Sequence, residues 1–192
     1  MLLLSIRIHM NSLQRSMALG LLALAWPSAW AQSAPAADWQ DSNPCPSFVA
    51  AEGGAEPAAD KRWDMTLSPY TLHWHSSPEH KPVVLGSLDR AAAGNRLCGL
   101  SFFSNSFGQP STYVYVGQRW DGVLGNPKLF AKVTAGIFYG YVGQYKDKVP
   151  YNYKGFSPGI IPSLGYEFTP RDSAQVLVLG SAGLMFAYGR RF

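Results

Sequence analysis

Residues 155–168 read Gly-Phe-Ser-Pro-Gly-Ile-Ile-Pro-Ser-Leu-Gly-Tyr-Glu-Phe. In an extended chain, Phe156, Pro158, Ile160, Pro162, Leu164, Tyr166 and Phe168 share one face. Ser157, Gly159, Ile161, Ser163, Gly165 and Glu167 share the other. Side chains of a strand alternate with period two, so this segment is a strand with one apolar face and one small, mostly polar face. A soluble sandwich would bury the apolar face, whereas a membrane barrel would turn it outward to lipid. The aromatic content, 14% of the chain, favours lipid.

The pattern recurs on either side. Leu129, Ala131, Val133, Ala135, Ile137, Tyr139 and Tyr141 oppose Phe130, Lys132, Thr134, Gly136, Phe138, Gly140 and Val142. The final segment puts Leu184, Phe186, Tyr188 and the terminal Phe192 on one face. Arg190 shares that face, where its long stem can snorkel from a membrane edge. Strands are expected at 65–75, 81–90, 96–106, 111–120, 129–142, 155–168, 174–180 and 184–192. Eight strands close an antiparallel barrel with no edge, which hydrocarbon demands because unpaired backbone groups are costly there. The expected fold is therefore all-β, an eight-stranded antiparallel transmembrane β-barrel. With the N-terminus periplasmic, joins near 76–80, 107–110, 143–154 and 181–183 face outward, and those near 91–95, 121–128 and 169–173 face the periplasm.

The N-terminus agrees with export. Arg7 and Arg15 precede the apolar run Met17 to Trp26, and Ser28-Ala29-Trp30-Ala31 ends it in the A-x-A manner. This order reads as a secretory signal peptide over residues 1–31, with Met10 as an alternative start. The run is too short for a helix that must span with about 20 apolar residues. Residues 32–62, rich in Ala, Pro, Gly and Ser, read as a short, largely irregular periplasmic linker with a helical turn near Phe48 to Glu52. Residues 63–192 form the barrel. Of the net charge of +4, Arg7 and Arg15 leave with the signal, and no basic stripe suggests nucleic acid. An oxidising periplasm permits Cys45 and Cys98 to pair, yet Cys45 falls in the linker, so pairing stays open. No C-x-x-C or H-E-x-x-H spacing implies a metal, and no soluble cofactor is implied.

Chemistry concentrates at the outer rim. On the first strand Tyr70, Leu72 and Trp74 face one way, and Thr71, His73 and His75 face into the lumen. The third strand brings Gly99, Ser101, Phe103 and Asn105 inward and yields to a loop at Ser106. A lone histidine is more often a hydrogen-bonding lumen residue than a catalyst, but beside a hydroxyl it can serve as a base in acyl transfer.

Three stretches resemble the lipid A palmitoyltransferase family, PagP, of eight-stranded outer-membrane barrels. Asp64 with Thr71-Leu72-His73 resembles its first strand, where an aspartate precedes a T-x-H whose histidine is catalytic. Phe103-Ser104-Asn105-Ser106-Phe107 followed by Pro110 resembles its F-x-D-S-aromatic segment. Pro158-Gly159-Ile160-Ile161-Pro162 resembles its P-x-x-x-P strand, whose missing donors loosen the wall for lateral lipid access. The chain departs from the family at Asn105, where the family has aspartate, and in lacking an amphipathic helix before the barrel. Glu79 and His80 in the first outer loop are candidates to replace the acid.

The resemblance implies transfer of a palmitate-like chain from a phospholipid to lipid A of lipopolysaccharide, by a monomer in the outer membrane. His73 would be the base, with Ser106 and Asn105 positioning or polarising the ester. His75, Ser101, Tyr115, Pro158 and Pro162 would line the substrate path, and Gly99, Gly136, Gly159 and Gly165 would leave room for the chain. Relief of crowding in a tightly curved wall is the other reading of those glycines. An aromatic ending resembles the signal read by the outer-membrane assembly machinery, here Phe192. Two alternatives stand beside the transferase: a non-enzymatic barrel with a structural, adhesive or lipid-binding role, and a lipid A deacylase, for which His75-Ser76-Ser77 supplies a literal H-x-S.

Overall fold

The computed structural model describes residues 43–49 and 53–192, so the expected signal peptide and the start of the linker lie outside the described residues. Eight strands follow in chain order: β1 Trp63–His73, β2 Leu85–Ala92, β3 Arg96–Ser104, β4 Pro110–Asp121, β5 Leu129–Tyr139, β6 Phe156–Glu167, β7 Asp172–Val178 and β8 Gly183–Arg191. Each pairs antiparallel with its neighbours and β1 closes on β8, giving a closed barrel in sequence order. Beyond the last strand residue, Phe192 and Trp63 exchange backbone hydrogen bonds of 2.9 and 3.0 Å, so the C-terminus seals the seam.

Several boundaries differ from the sequence expectation. β1 ends at His73 rather than 75, and β2 begins at Leu85 rather than 81. Residues 81–84 run along the rim instead, where Pro82 has no N–H for a ladder. β5 stops at Tyr139 rather than 142, because Gly140 turns the chain with φ +148°. β7 spans Asp172–Val178 rather than 174–180.

The two faces have the polarity of a membrane barrel. Thr66, Ser68, Asp89, Ser101, Lys132, Thr134, Ser157, Ser163 and Gln175 are buried within. Phe102, Val114 and Ile160 on the outer wall remain 60%, 60% and 67% exposed. In water this apolar surface would forfeit about 25 cal/mol per Å² of burial, whereas lipid removes that cost. The ambiguity in the alternation of β6 is thereby resolved toward a transmembrane barrel.

One irregularity positions the rim chemistry. Thr66 and Ser68 point inward, and strict alternation from there would turn His73 outward. A register shift between Leu67 and Tyr70 instead leaves both Pro69 and Tyr70 on the outer face, and Thr71 and His73 return inward. The Ser68 hydroxyl fixes this bulge by donating to the Phe186 carbonyl at 2.7 Å. Ser68→Ala is expected to cost about 1 kcal/mol in urea unfolding of the folded barrel, the usual worth of one such bond. Unchanged stability would mean that the bulge holds itself.

The glycines do not leave an open bore. A Cβ on Gly136 would lie 2.0 Å from the Val114 carbonyl oxygen and 2.7 Å from the Tyr115 Cα. On Gly159 it would lie 1.8 Å from the Phe138 ring, and on Gly165 2.2 Å from the Phe130 ring. At Gly99 it would meet Asp89 and Tyr115 within 2.6 Å. The expectation of acyl room is corrected at Gly99, Gly136 and Gly165, where side chains and backbone already occupy the space, whereas Gly159 lies against the Phe138 ring at a cavity wall. Tyr113 stacks between Phe138 and Tyr115, at centroid distances of 4.1 and 4.6 Å.

Below this stack, toward the end where β1 begins and β8 finishes, ion pairs fill the lumen. Lys132 Nζ lies 2.8 Å from Asp89 Oδ2, and the Tyr115 hydroxyl donates to Asp89 Oδ1. Glu167 accepts from both Arg119 and Arg191, and the Arg119 guanidinium covers the Phe130 ring at 3.5 Å. On the outer face of this same end, Cys45 and Cys98 form a disulfide with a Cα separation of 5.5 Å.

Candidate functional site at the outer rim

The end where β1 finishes and β8 begins gathers the rim residues. His73 closes β1 against Gly183 of β8, where only a residue without a side chain fits: a Cβ would lie 2.0 Å from the Leu72 carbonyl oxygen. The His73 Nε2 lies 2.7 Å from the Ser106 hydroxyl oxygen, a contact 33 residues apart in sequence. A histidine from the first strand and a hydroxyl just past the third are thus brought together.

Asn105 lines the cavity beneath Ser106 and is tied into the loop that carries Ser106. Its Oδ1 accepts from the backbone N–H groups of Phe107 and Gln109, both at 3.0 Å. Its Nδ2 donates to the Ser111 hydroxyl at 3.2 Å, and the residue is 1% exposed. An aspartate could accept the first pair but could not donate the last bond. Asn105 therefore braces the loop that carries Ser106 and makes no hydrogen bond to His73. The Ser106 carbonyl accepts from the Lys81 N–H at 2.8 Å, which fixes the loop from the other side.

The outer loops close over this pair. The His80 ring lies 4.3 Å from that of His73, and Phe107 meets His80 edge-on at 5.8 Å. Tyr145 stacks on Phe107 at 4.4 Å, and Lys148 lies 5.4 Å above the same ring. Glu79 turns away to Lys148 at 3.8 Å, so it does not supply the missing acid. Among the described residues no carboxylate hydrogen-bonds to His73. His75 is likewise corrected: it falls beyond β1 on the exposed rim and does not face the lumen. Ser77 serves a local turn by accepting from the Glu79 N–H, which leaves the His75-Ser76-Ser77 motif without a histidine–serine contact.

Beneath Ser106 lies a cavity of about 320 Å³. Phe103, Phe138, Ile161, Leu177 and Met185 give it apolar walls, and it reaches Ser101, Tyr115 and Lys132 below. Its side is weakly closed. β6 and β7 pair only from Ser163 with Leu177 to Glu167 with Ser173, so Phe156 to Pro162 have no ladder on that side. Pro158, Gly159 and Ile160 face Leu179 to Ala182 around the same cavity. Neither proline offers an N–H to pair. A second unpaired stretch flanks His73, because β1 and β2 pair only up to Ser68 with Leu85.

No protein family and no curated protein matches this sequence. Solved structures do. A designed transmembrane β-barrel superposes with a TM-score of 0.51 at 14% identity, over 72% of this chain and all of that one. The N-terminal β-barrel domain of Pseudomonas aeruginosa OprF aligns with a TM-score of 0.43 at 14% identity, over 69% of this chain and 98% of its own. The fold is that of a transmembrane β-barrel. At these identities the likeness concerns the fold alone, and the candidate chemistry lies at the rim.

There the arrangement is a histidine–hydroxyl dyad above an apolar cavity with an unpaired flank. An imidazole within hydrogen-bond reach of a hydroxyl can take its proton and activate its oxygen. Among the described residues no cluster of three metal-ligating side chains forms. His80 escaped the sequence reading except as a stand-in for an acid, because its contact with His73 is made by a loop folding back.

Proposed function

We propose that this protein is an outer-membrane acyltransferase that moves a palmitate-like chain from a phospholipid to a hydroxyl of lipid A in the outer leaflet. The observation that carries the reading is the 2.7 Å contact between His73 Nε2 and the Ser106 hydroxyl, at the mouth of an apolar cavity. With the termini in the periplasm, this mouth lies at the outer leaflet, where lipid A resides. An acyl chain suits the walls formed by Phe103, Phe138 and Ile161, and the weak flank at Pro158 to Pro162 gives a lipid a sideways path that an intact ladder would deny. His73 acts as the general base, and Asn105 braces the loop that carries Ser106 while itself lining the cavity.

A second reading, a non-enzymatic barrel that binds lipid or serves the envelope structurally, is favoured by the absence of a carboxylate partner for His73 among the described residues. One experiment separates the two. Lipid A from envelopes with the protein is expected to gain one palmitate-sized mass in mass spectra, and the gain should vanish with His73→Ala. If lipid A mass is unchanged while the barrel is folded in the outer membrane, the transferase reading fails and the binding barrel stands.

A further inference from the structure

Ser106 sits at the mouth of the cavity, in contact with His73. It lines the cavity, whereas the His73 ring does not, so Ser106 stands between the imidazole and any ester held below. The Nε2 that would have to accept a proton from an outside hydroxyl is already engaged by the Ser106 oxygen. Both sides of the residue are fixed: the Asn105 side chain holds the following backbone, and the Lys81 N–H holds the Ser106 carbonyl. His80 packs against His73 from the loop above, on the ring that contacts Ser106. A base bonded to one fixed hydroxyl, with that hydroxyl facing the substrate cavity, is the arrangement of nucleophilic catalysis.

We infer that Ser106 is a covalent nucleophile and that the reaction runs through an acyl-serine. This inference rests on the acyl-transfer reading above and deepens it. In the first step the Ser106 proton passes to His73 Nε2 as Oγ attacks the ester carbonyl of a phospholipid. The carbon–oxygen bond to glycerol breaks, and the leaving alkoxide takes the proton from His73 to depart as lysophospholipid. In the second step an acceptor hydroxyl gives its proton to His73 and attacks the acyl-serine, and Ser106 recovers its proton as it leaves. No oxidant, metal or further reactant is required. A direct mechanism, in which His73 deprotonates the acceptor and no covalent species forms, would need Ser106 to step aside.

The test uses the full barrel folded in detergent micelles, with an alkyl fluorophosphonate as probe and phosphatidylcholine plus lipid A as substrates. Wild type is expected to gain the phosphonyl mass on the peptide containing Ser106, and to transfer acyl chains. Ser106→Ala should lose the adduct and at least about a hundredfold in transfer, within the range for removal of a group that acts in the chemical step. His73→Ala should slow labelling comparably. Retained heat-modifiable gel mobility shows that each variant is folded. Wild type that transfers without labelling, or Ser106→Ala that keeps transfer within about threefold, overturns the nucleophile and leaves the acyltransferase in place. Labelling at Ser106 without any lipid A product upholds the nucleophile and removes lipid A as acceptor. Neither labelling nor transfer removes both.

Discussion

Lys132→Met is expected to lower the unfolding free energy of the barrel by about 3–5 kcal/mol, and Asp89→Leu by a similar amount. Both side chains are buried inside the wall, at 7% and 2% exposure, and pair at 2.8 Å. Removing the ammonium leaves Asp89 with the Tyr115 hydroxyl as its remaining hydrogen-bond partner. Removing the carboxylate leaves Lys132 with Asp64 as its remaining acidic neighbour inside the barrel, and also deprives Tyr115 of its acceptor. The double variant should cost less than the sum of the two, because neither member of the pair is then left facing the gap of the other, while the Tyr115 phenol loses its acceptor and Asp64 loses the Lys132 charge. Urea titration of the three variants in micelles, read by tryptophan fluorescence, measures the cycle. Single losses below about 1 kcal/mol, the worth of a solvated pair, would mean that water screens these charges.

These charges lie on strands whose existence the sequence announced, and the contrast shows where reading a sequence succeeds. β5, β6 and β8 are legible because each sets large apolar groups against small or polar ones over nine or more residues, so a one-residue slip would be visible. The polarity of the wall was legible only in part, since alternation has no sign; the exposure of Phe102, Val114 and Ile160 supplies it. The bulge at Leu67 to Tyr70 was not legible, because Pro69 and Tyr70 are both tolerable on an outer face and leave no break in the pattern.

The surroundings of the glycines are illegible in sequence for a related reason. What a glycine makes room for depends on its cross-strand neighbour, and Gly136 opposite Tyr115 is a matter of register. At the rim, His73 and the loop carrying Ser106 were found by motif, yet the meaning of Asn105 required its four hydrogen bonds. An asparagine in place of an acid reads as a lost catalyst in sequence and as a loop brace in three dimensions. His80 belongs to the same class, since no local pattern announces a loop contact.

The disulfide gives the second large effect. Replacing both Cys45 and Cys98 with serine is expected to cost about 2–4 kcal/mol, the usual worth of a crosslink closing a loop of this order. The crosslinked residues are 53 apart, and the loop between them contains β1, β2 and the segment that leads into them. Cys98 sits on the outer face of β3, next to the inward Leu97, and the 3₁₀ turn Ser47–Val49 buries Val49 to 4% exposure. The bond therefore does two things: it constrains the unfolded chain and it holds the segment carrying Val49 against the wall at β3. Reductant should shift the wild-type urea midpoint down to that of the double variant and leave the variant unmoved. Coincident midpoints without reductant would show that the segment contributes nothing as a clamp. Because this crosslink lies at the end where β1 begins and the His73–Ser106 pair at the other, the fluorophosphonate adduct should form on the double variant at the wild-type rate while its stability falls. Stability and chemistry would then be separable along the barrel axis, as expected if packing and ion pairs in one half hold the wall while the rim of the other half carries the reaction.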